Sequence, residues 1–108
     1  MLIDAYAARP ILKNRTGGLS GPELKPVALR CVAEIASRVK LPIIGTGGIS
    51  SGIDAAEMIM AGATLVGLGS AVWRDGPAAF GRIGWDLSGF MDQQGYNKLE
   101  ALLGKAIQ

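Results

Sequence analysis

The stretch from Leu41 to Ser70, LPIIGTGGISSGIDAAEMIMAGATLVGLGS, decides the fold. It opens on a short apolar run, Leu41-Pro42-Ile43-Ile44-Gly45-Thr46, whose continuous hydrophobicity reads as a parallel strand buried on both faces. Gly47-Gly48-Ile49 follows as a turn. Ser51, with Asp54 three residues on, is a helix N-cap signal in which Asp stands where Glu is usual, and Ile53, Ala56, Ile59 and Met60 supply an apolar stripe. Gly62 ends that helix as its C′ residue. Thr64 to Leu68 is a second buried strand, and it too runs out into small residues, Gly69-Ser70.

Upstream, Asn14 to Gly21 (NRTGGLSG) packs three glycines into eight residues, a loop that lets backbone come close to a neighbour. Between Pro26 and Lys40, Ala28, Val32, Ile35 and Val39 mark one buried face of a helix, with Pro22 or Pro26 accommodated in a first turn. Cys31 sits on or beside this face and reads as a small packed hydrophobe rather than a nucleophile. Ile3 to Leu12 is mixed, with Arg9-Pro10 as a turn signal, and suggests one or two short extended pieces. Downstream, Arg74-Asp75-Gly76-Pro77 is a turn. A helix from Ala78 to Gln94 carries Phe80, Ile83, Leu87, Phe90 and Met91, and a last short helix runs from Leu99 to Ile107 after Gly95.

Alternation of helix and strand argues a parallel βαβ unit. Two strands apolar on both faces leave edges and a face uncovered, and a whole (β/α)8 barrel takes about 250 residues. Residues 1–108 are therefore expected to form a single partial domain of the α/β class, with about two parallel strands and their helices.

Composition narrows the function. A hydrophobic content of 49% with 19% charged residues fits a globular unit, and the net charge of +2 is scattered rather than clustered, which gives no footprint for nucleic acid or an anionic membrane. The single cysteine and the absence of histidine leave no internal disulfide and no zinc site of the usual ligand types, so a cytoplasmic setting is expected. The N-terminus does not read as a secretory leader. The uncharged run from Met58 to Trp73 is shorter than the roughly 20 residues that span a bilayer.

Both strands open directly into glycine-rich turns, where backbone N–H groups can face an oxyanion with no side chain in the way. Tight strand-to-helix turns with no ligand are the plain alternative, but two in succession, preceded by a third glycine-rich loop, favour phosphate. A dinucleotide fingerprint fits badly, since Gly45, Gly47 and Ser50 only approximate G-x-G-x-x-G and no acidic ribose ligand follows the next strand. No Gly-Lys-Ser or Gly-Lys-Thr occurs, which excludes a Walker A loop. Asn14 and Arg15, beside the first loop, read as turn and surface residues.

ILKNRTGGLSGPELKPVALR, followed by LPIIGTGGISSGIDAAEMIMAGATLVGLGSA, resembles the C-terminal part of dihydroorotate dehydrogenase, most closely the soluble class 1 enzymes. The resemblance runs from about Ile3 to the C-terminus. It implies an FMN-containing TIM (β/α)8 barrel, a flavoprotein oxidoreductase that converts dihydroorotate to orotate in pyrimidine biosynthesis. The chain would then be the C-terminal portion of that barrel, incomplete alone and needing the missing half or oligomerisation. By motif the resemblance assigns FMN phosphate contacts to Gly21, Gly47, Gly48, Gly69 and Ser70, the last standing where the family usually has Thr. The family's catalytic base, a Ser or Cys, and its flavin- and substrate-contacting lysine and asparagines lie on earlier segments. No catalytic residue and no metal ligand is therefore expected in this chain, which alone is expected to be inactive. Another FMN barrel oxidoreductase, of the dihydropyrimidine dehydrogenase or dihydrouridine synthase kind, and a non-catalytic fragment that assembles with another chain are the alternatives.

Overall fold

The computed structural model describes residues 1–108. A hairpin comes first, β1 (Ile3–Asp4) pairing antiparallel with β2 (Arg9–Pro10). Asp4 Oδ1 accepts the N–H groups of Tyr6 at 3.1 Å and Ala7 at 3.0 Å, which fixes the turn between the two short strands.

After the first glycine loop, Pro22–Leu24 forms a 3-10 turn that runs straight into α1 (Lys25–Ala36). Both prolines sit in first-turn positions, where a missing N–H leaves no helical bond unmade. The helix stops short of Lys40, and of the expected stripe only Ala28 and Val32 are buried, while Ile35 and Val39 are exposed. At about 100° per residue, the buried arc runs from Ala28 through Val32 and on to Leu29 and Ala33, leaving Ile35 and Cys31 on its outer side. Cys31 is thus an exposed thiol rather than a packed one.

β3 (Ile44–Thr46), α2 (Gly52–Met60) and β4 (Leu65–Gly67) make the parallel unit expected from the alternation, with Ile44 opposite Leu65, Gly45 opposite Val66 and Thr46 opposite Gly67. The regular strands are shorter than the apolar runs, although Ile43 O still accepts from Thr64 N–H at 2.8 Å. A full capping box starts α2: Ser51 Oγ accepts from Asp54 N–H, and Asp54 Oδ2 accepts from Ser51 N–H. Gly62, at φ 112°, ends the helix, and a side chain there would collide with Ala36 of α1. The inner face of α2 is rotated from the expected stripe. Ala55, Ala56, Met58 and Ile59 are buried, whereas Ile53 is exposed and Met60 half-buried.

The two faces of the sheet differ. On one, Gly45 lies against Met58 and Ala63, and Val66 and Leu68 pack on the core. On the other, Ile44 is 68% and Leu65 62% exposed, so strands expected to be buried on both sides bury one within this chain. With 18 of 108 residues buried and a thinnest dimension of 19 Å, the β3–β4 pair lies under one layer of helices, and the β1–β2 hairpin is a separate two-stranded sheet.

β4 leads into α3 (Ser70–Asp75), a six-residue helix that begins where the sequence suggested only a strand end and a turn. Gly76, at φ 72°, ends it, and α4 (Ala78–Gln94) follows. α4 buries Ala79 and Ile83 and packs Leu87 on the core, while Phe80 is exposed and Phe90 and Met91 are half-buried. It crosses α2 at Gly52, where a Cβ would collide with the backbone of Asp86 and Leu87. The expected C-terminal helix is instead a 3-10 turn, Leu99–Ala101, followed by turns. Gly104 N–H donates to Ile59 O at 3.0 Å and Ala106 N–H to Met60 O at 3.1 Å, so the tail satisfies the last carbonyls of α2 in place of its own helix.

The α2–α4 crossing gives a test with a built-in control. Gly52→Ala forces two backbones apart and is expected to lower unfolding stability by about 2–3 kcal/mol in urea titrations. Gly84→Ala, where a Cβ meets nothing within 4 Å, is expected to raise it by roughly 0.5–1 kcal/mol through helix propensity alone.

Candidate functional site

Three backbone segments converge beyond the C-terminal ends of β3 and β4. Ser20 and Gly21 close the first glycine loop, Thr46 to Ile49 form the turn after β3, and Gly67, Gly69 and Ser70 lie at the end of β4 and the start of α3. Together with Leu24 they line one cavity of about 130 Å³. All five residues expected at the phosphate site, Gly21, Gly47, Gly48, Gly69 and Ser70, are on its wall, although up to 49 positions separate them. Asn14 and Arg15 are not. Ser20, Leu24, Thr46, Ile49 and Gly67 line it as well, although the sequence did not single them out as site residues.

Glycine is required at two of these positions by close approach. Gly48, at φ 74°, sits where a Cβ would come within 2.7 Å of Lys25 N and 2.9 Å of Gly21 O, and Gly47, at φ 129°, faces Ala28 at 2.7 Å. The turn after β3 and the N-terminus of α1 therefore close on each other with no side chain between them. Gly69 is different. Its φ is −119° and a Cβ there would meet nothing within 4 Å, so nothing in this chain's own packing calls for glycine.

The wall is made of donors. The N–H groups of Gly21, Gly47, Gly48, Ile49, Gly69 and Ser70 make no hydrogen bond within the chain, and Ser20, Thr46 and Ser70 add hydroxyls. Gly21, Gly48 and Ile49 are buried. Buried N–H groups are almost always paired, so a cluster of unpaired ones around a single cavity matches an acceptor with several oxygens. No carboxylate and no cationic side chain lines the cavity, which leaves amide dipoles as the charge complement to an anion.

Charged groups hold the wall from outside. Lys25 Nζ lies 2.6 Å from Asp54 Oδ1 and 2.6 Å from Glu57 Oε2, tying α1 to α2. Asp54 Oδ2 accepts from Ser50 N–H at 2.9 Å, Ser50 Oγ at 3.0 Å and Ser51 N–H at 2.9 Å, which fixes the turn after β3. Burial works to raise the Asp54 pKa, but the Lys25 ammonium and the serine donors outweigh it and hold the carboxyl well below its ordinary value. The hydrogen bond to Asp54, and then the one to Glu57, raise the pKa of Lys25. Lys25, next in sequence to Leu24 on the wall, is thus committed to two carboxylates. Asp54 was legible in the sequence as a capping residue, but its bond to Lys25, 29 residues away, was not.

The fold and cavity define an α/β unit that gathers unpaired amides at the ends of two parallel strands. Residues 1–91 match the family model described as dihydroorotate dehydrogenase. The chain is 50% identical over 104 residues to the catalytic subunit of dihydroorotate dehydrogenase B (NAD(+)) from Geobacter metallireducens, covering 96% of this chain and 34% of that protein. It is 45% identical over 108 residues to the corresponding subunit from Thermoplasma volcanium, covering all of this chain and 36% of that one. The crystal structure of ligand-free DHODH from Eimeria tenella superposes with a TM-score of 0.81 at 31% identity, over 94% of this chain and 29% of that one. The chain belongs to the dihydroorotate dehydrogenase family. It spans about a third of the length of these relatives. No helix is long and apolar enough to cross a membrane.

Because the folded pKa of Asp54 is depressed, its contribution to stability is complete above the unfolded value of 3.8 and is lost as pH falls below that toward the folded value. Asp75, held down at about 2 by the Arg74 guanidinium and then by Arg82, titrates in the same direction. Asp54→Asn is expected to cost about 2 kcal/mol at neutral pH, through the lost cap and charge-assisted bonds. The difference between wild type and variant should stay constant above about pH 5 and shrink below pH 4, as read from urea midpoints across pH.

Proposed function

We propose that this chain supplies the FMN phosphate cradle of a dihydroorotate dehydrogenase, as the C-terminal portion of a TIM (β/α)8 barrel working in cytoplasmic pyrimidine biosynthesis. The observation that carries the reading is the set of unpaired N–H groups of Gly21, Gly47, Gly48, Gly69 and Ser70 around one cavity. In (β/α)8 barrels a phosphate site is frequently built from the loops after the last two strands and the start of a short extra helix. β3, β4 and α3 have that order, and family membership supports the same placement.

The residues present fit a phosphate ester. Amides and hydroxyls can donate to its oxygens, and the wall carries no carboxylate to repel it. Gly47 and Gly48 let the backbone approach, Ser70 offers an N–H and a hydroxyl, and Gly21 closes the third side. The chemistry that FMN supplies when bound is hydride acceptance from dihydroorotate. This chain's residues bind and orient the cofactor's phosphate end, while the base that takes the substrate proton belongs to the rest of the barrel. The chain alone is inactive in this reading.

The exposed face of β3 and β4 supports a requirement for the remaining strands. Ile44 and Leu65 would have no reason to stand in water in the assembled enzyme.

Amide resonances of the isotope-labelled chain provide the test. Those of Gly47, Gly48, Gly69 and Ser70 are expected to shift with FMN and with inorganic phosphate, but not with riboflavin, which lacks the phosphate. Equal responses to FMN and riboflavin, or none to either, would sink the assignment. Gly69→Val should leave the melting temperature unchanged, since its side chain would meet no packed neighbour, and weaken phosphate-dependent binding about tenfold by adding bulk to a cavity-lining residue. Turnover of dihydroorotate by the chain alone would overturn its inactivity.

A further inference from the structure

The two turns that form the cavity belong to different strands and start side by side at Thr46 and Gly67, where a Cβ on Gly67 would collide with the Thr46 side chain. The parallel register ends at Thr46 opposite Gly67, after which each turn leaves the sheet. Beyond that point a Cβ on Gly69 would meet nothing within 4 Å. One side chain is hydrogen-bonded to both sides. Arg82, on α4, donates from one terminal nitrogen to Ser50 O at 3.1 Å and from the other to Asp75 Oδ2 at 2.9 Å.

Ser50 follows the Gly47–Ile49 turn, and its N–H and hydroxyl are already held by Asp54. Its carbonyl is held by Arg82, so this peptide is gripped on both sides. Asp75 ends α3, the helix whose first residue, Ser70, lines the cavity, and Arg74 fixes the same carboxylate through a two-point contact at 2.8 and 2.9 Å. A guanidinium is a rigid planar fork, so two acceptors bound to its two arms are held at a set separation.

We propose that Arg82 is a positioning residue for the phosphate site: it spaces the turn after β3 from the helix after β4 without touching the ligand. The inference rests on the phosphate reading above. Arg82 is not on the cavity wall and lies at 44% side-chain exposure, so its ion pairs add little to global stability. Its effect is therefore expected in the geometry of the cradle rather than in whether the chain folds.

The test has two arms, on the full chain with Arg82→Gln, Arg82→Lys and, as an independent break of the same bridge, Asp75→Asn. Without ligand, Arg82→Gln is expected to move the amide resonances of Gly48 and Ile49 together with those of Gly69 and Ser70, at an unchanged melting temperature. Shifts confined to residues beside position 82 would overturn the proposal whatever the cavity binds. With inorganic phosphate and FMN as probes, affinity is expected to fall about three- to tenfold in Arg82→Gln and in Asp75→Asn, with no further loss in the double variant and partial recovery in Arg82→Lys. Unchanged phosphate affinity in both single variants would overturn it. A wild-type chain that shows no response to phosphate or FMN would reject the phosphate reading, and with it the positioning role.

Discussion

The parallel pairing of β3 with β4 is the constraint on which the rest of the structure depends. It is secured by the absence of a side chain at Gly45, which lets Met58 and Ala63 close on the strand from the helical side. Because strand side chains alternate, a slip of one residue would turn Gly45 and Val66 to the open face and push Ile44 and Leu65 into α2. The register also sets Thr46 beside Gly67, so both turns begin at the same level. The cavity exists because two chain segments leave the sheet together.

From that starting point the site separates two tasks. In the proposed phosphate reading the binding groups are backbone amides, brought close by glycines, and they carry no net charge that would need a counter-ion. Charged groups sit behind them. Lys25, Asp54 and Glu57 join α1 to α2, and Arg82 and Asp75 join α4 to α3. Carboxylates placed on the wall would repel an anionic ligand, whereas the same carboxylates one layer out hold the amides in place. The depressed pKa of Asp54 reflects that arrangement, since Lys25 and the serine donors favour its charged form over the cost of burial.

The distribution of apolar surface matches the family relationship. A chain that spans about a third of its relatives has one sheet face covered by its own helices and the other, with Ile44 and Leu65, open. Its radius of gyration of 16.5 Å exceeds the roughly 13 Å of a compact domain of about 100 residues. Hydrophobic residues that read as core in the sequence are core only where a partner element lies within this chain.

Residues whose meaning is local were legible from the sequence by itself. The apolar runs ending in glycine gave two parallel strands, Ser51 and Asp54 gave a cap, Gly62 gave a helix end, and the glycine motifs carried the family and five residues that meet at one cavity. Each rests on backbone conformation or short-range hydrogen bonding, which a few neighbouring residues determine. Burial and long-range partnership were decided by the tertiary structure. Cys31 and Ile53 point away because a helix buries only the arc its neighbours cover, and the tail after Leu99 runs back to the end of α2, where Gly104 and Ala106 donate to Ile59 O and Met60 O. Arg82 belongs to no motif in the sequence, and only the fold places it between Ser50 and Asp75.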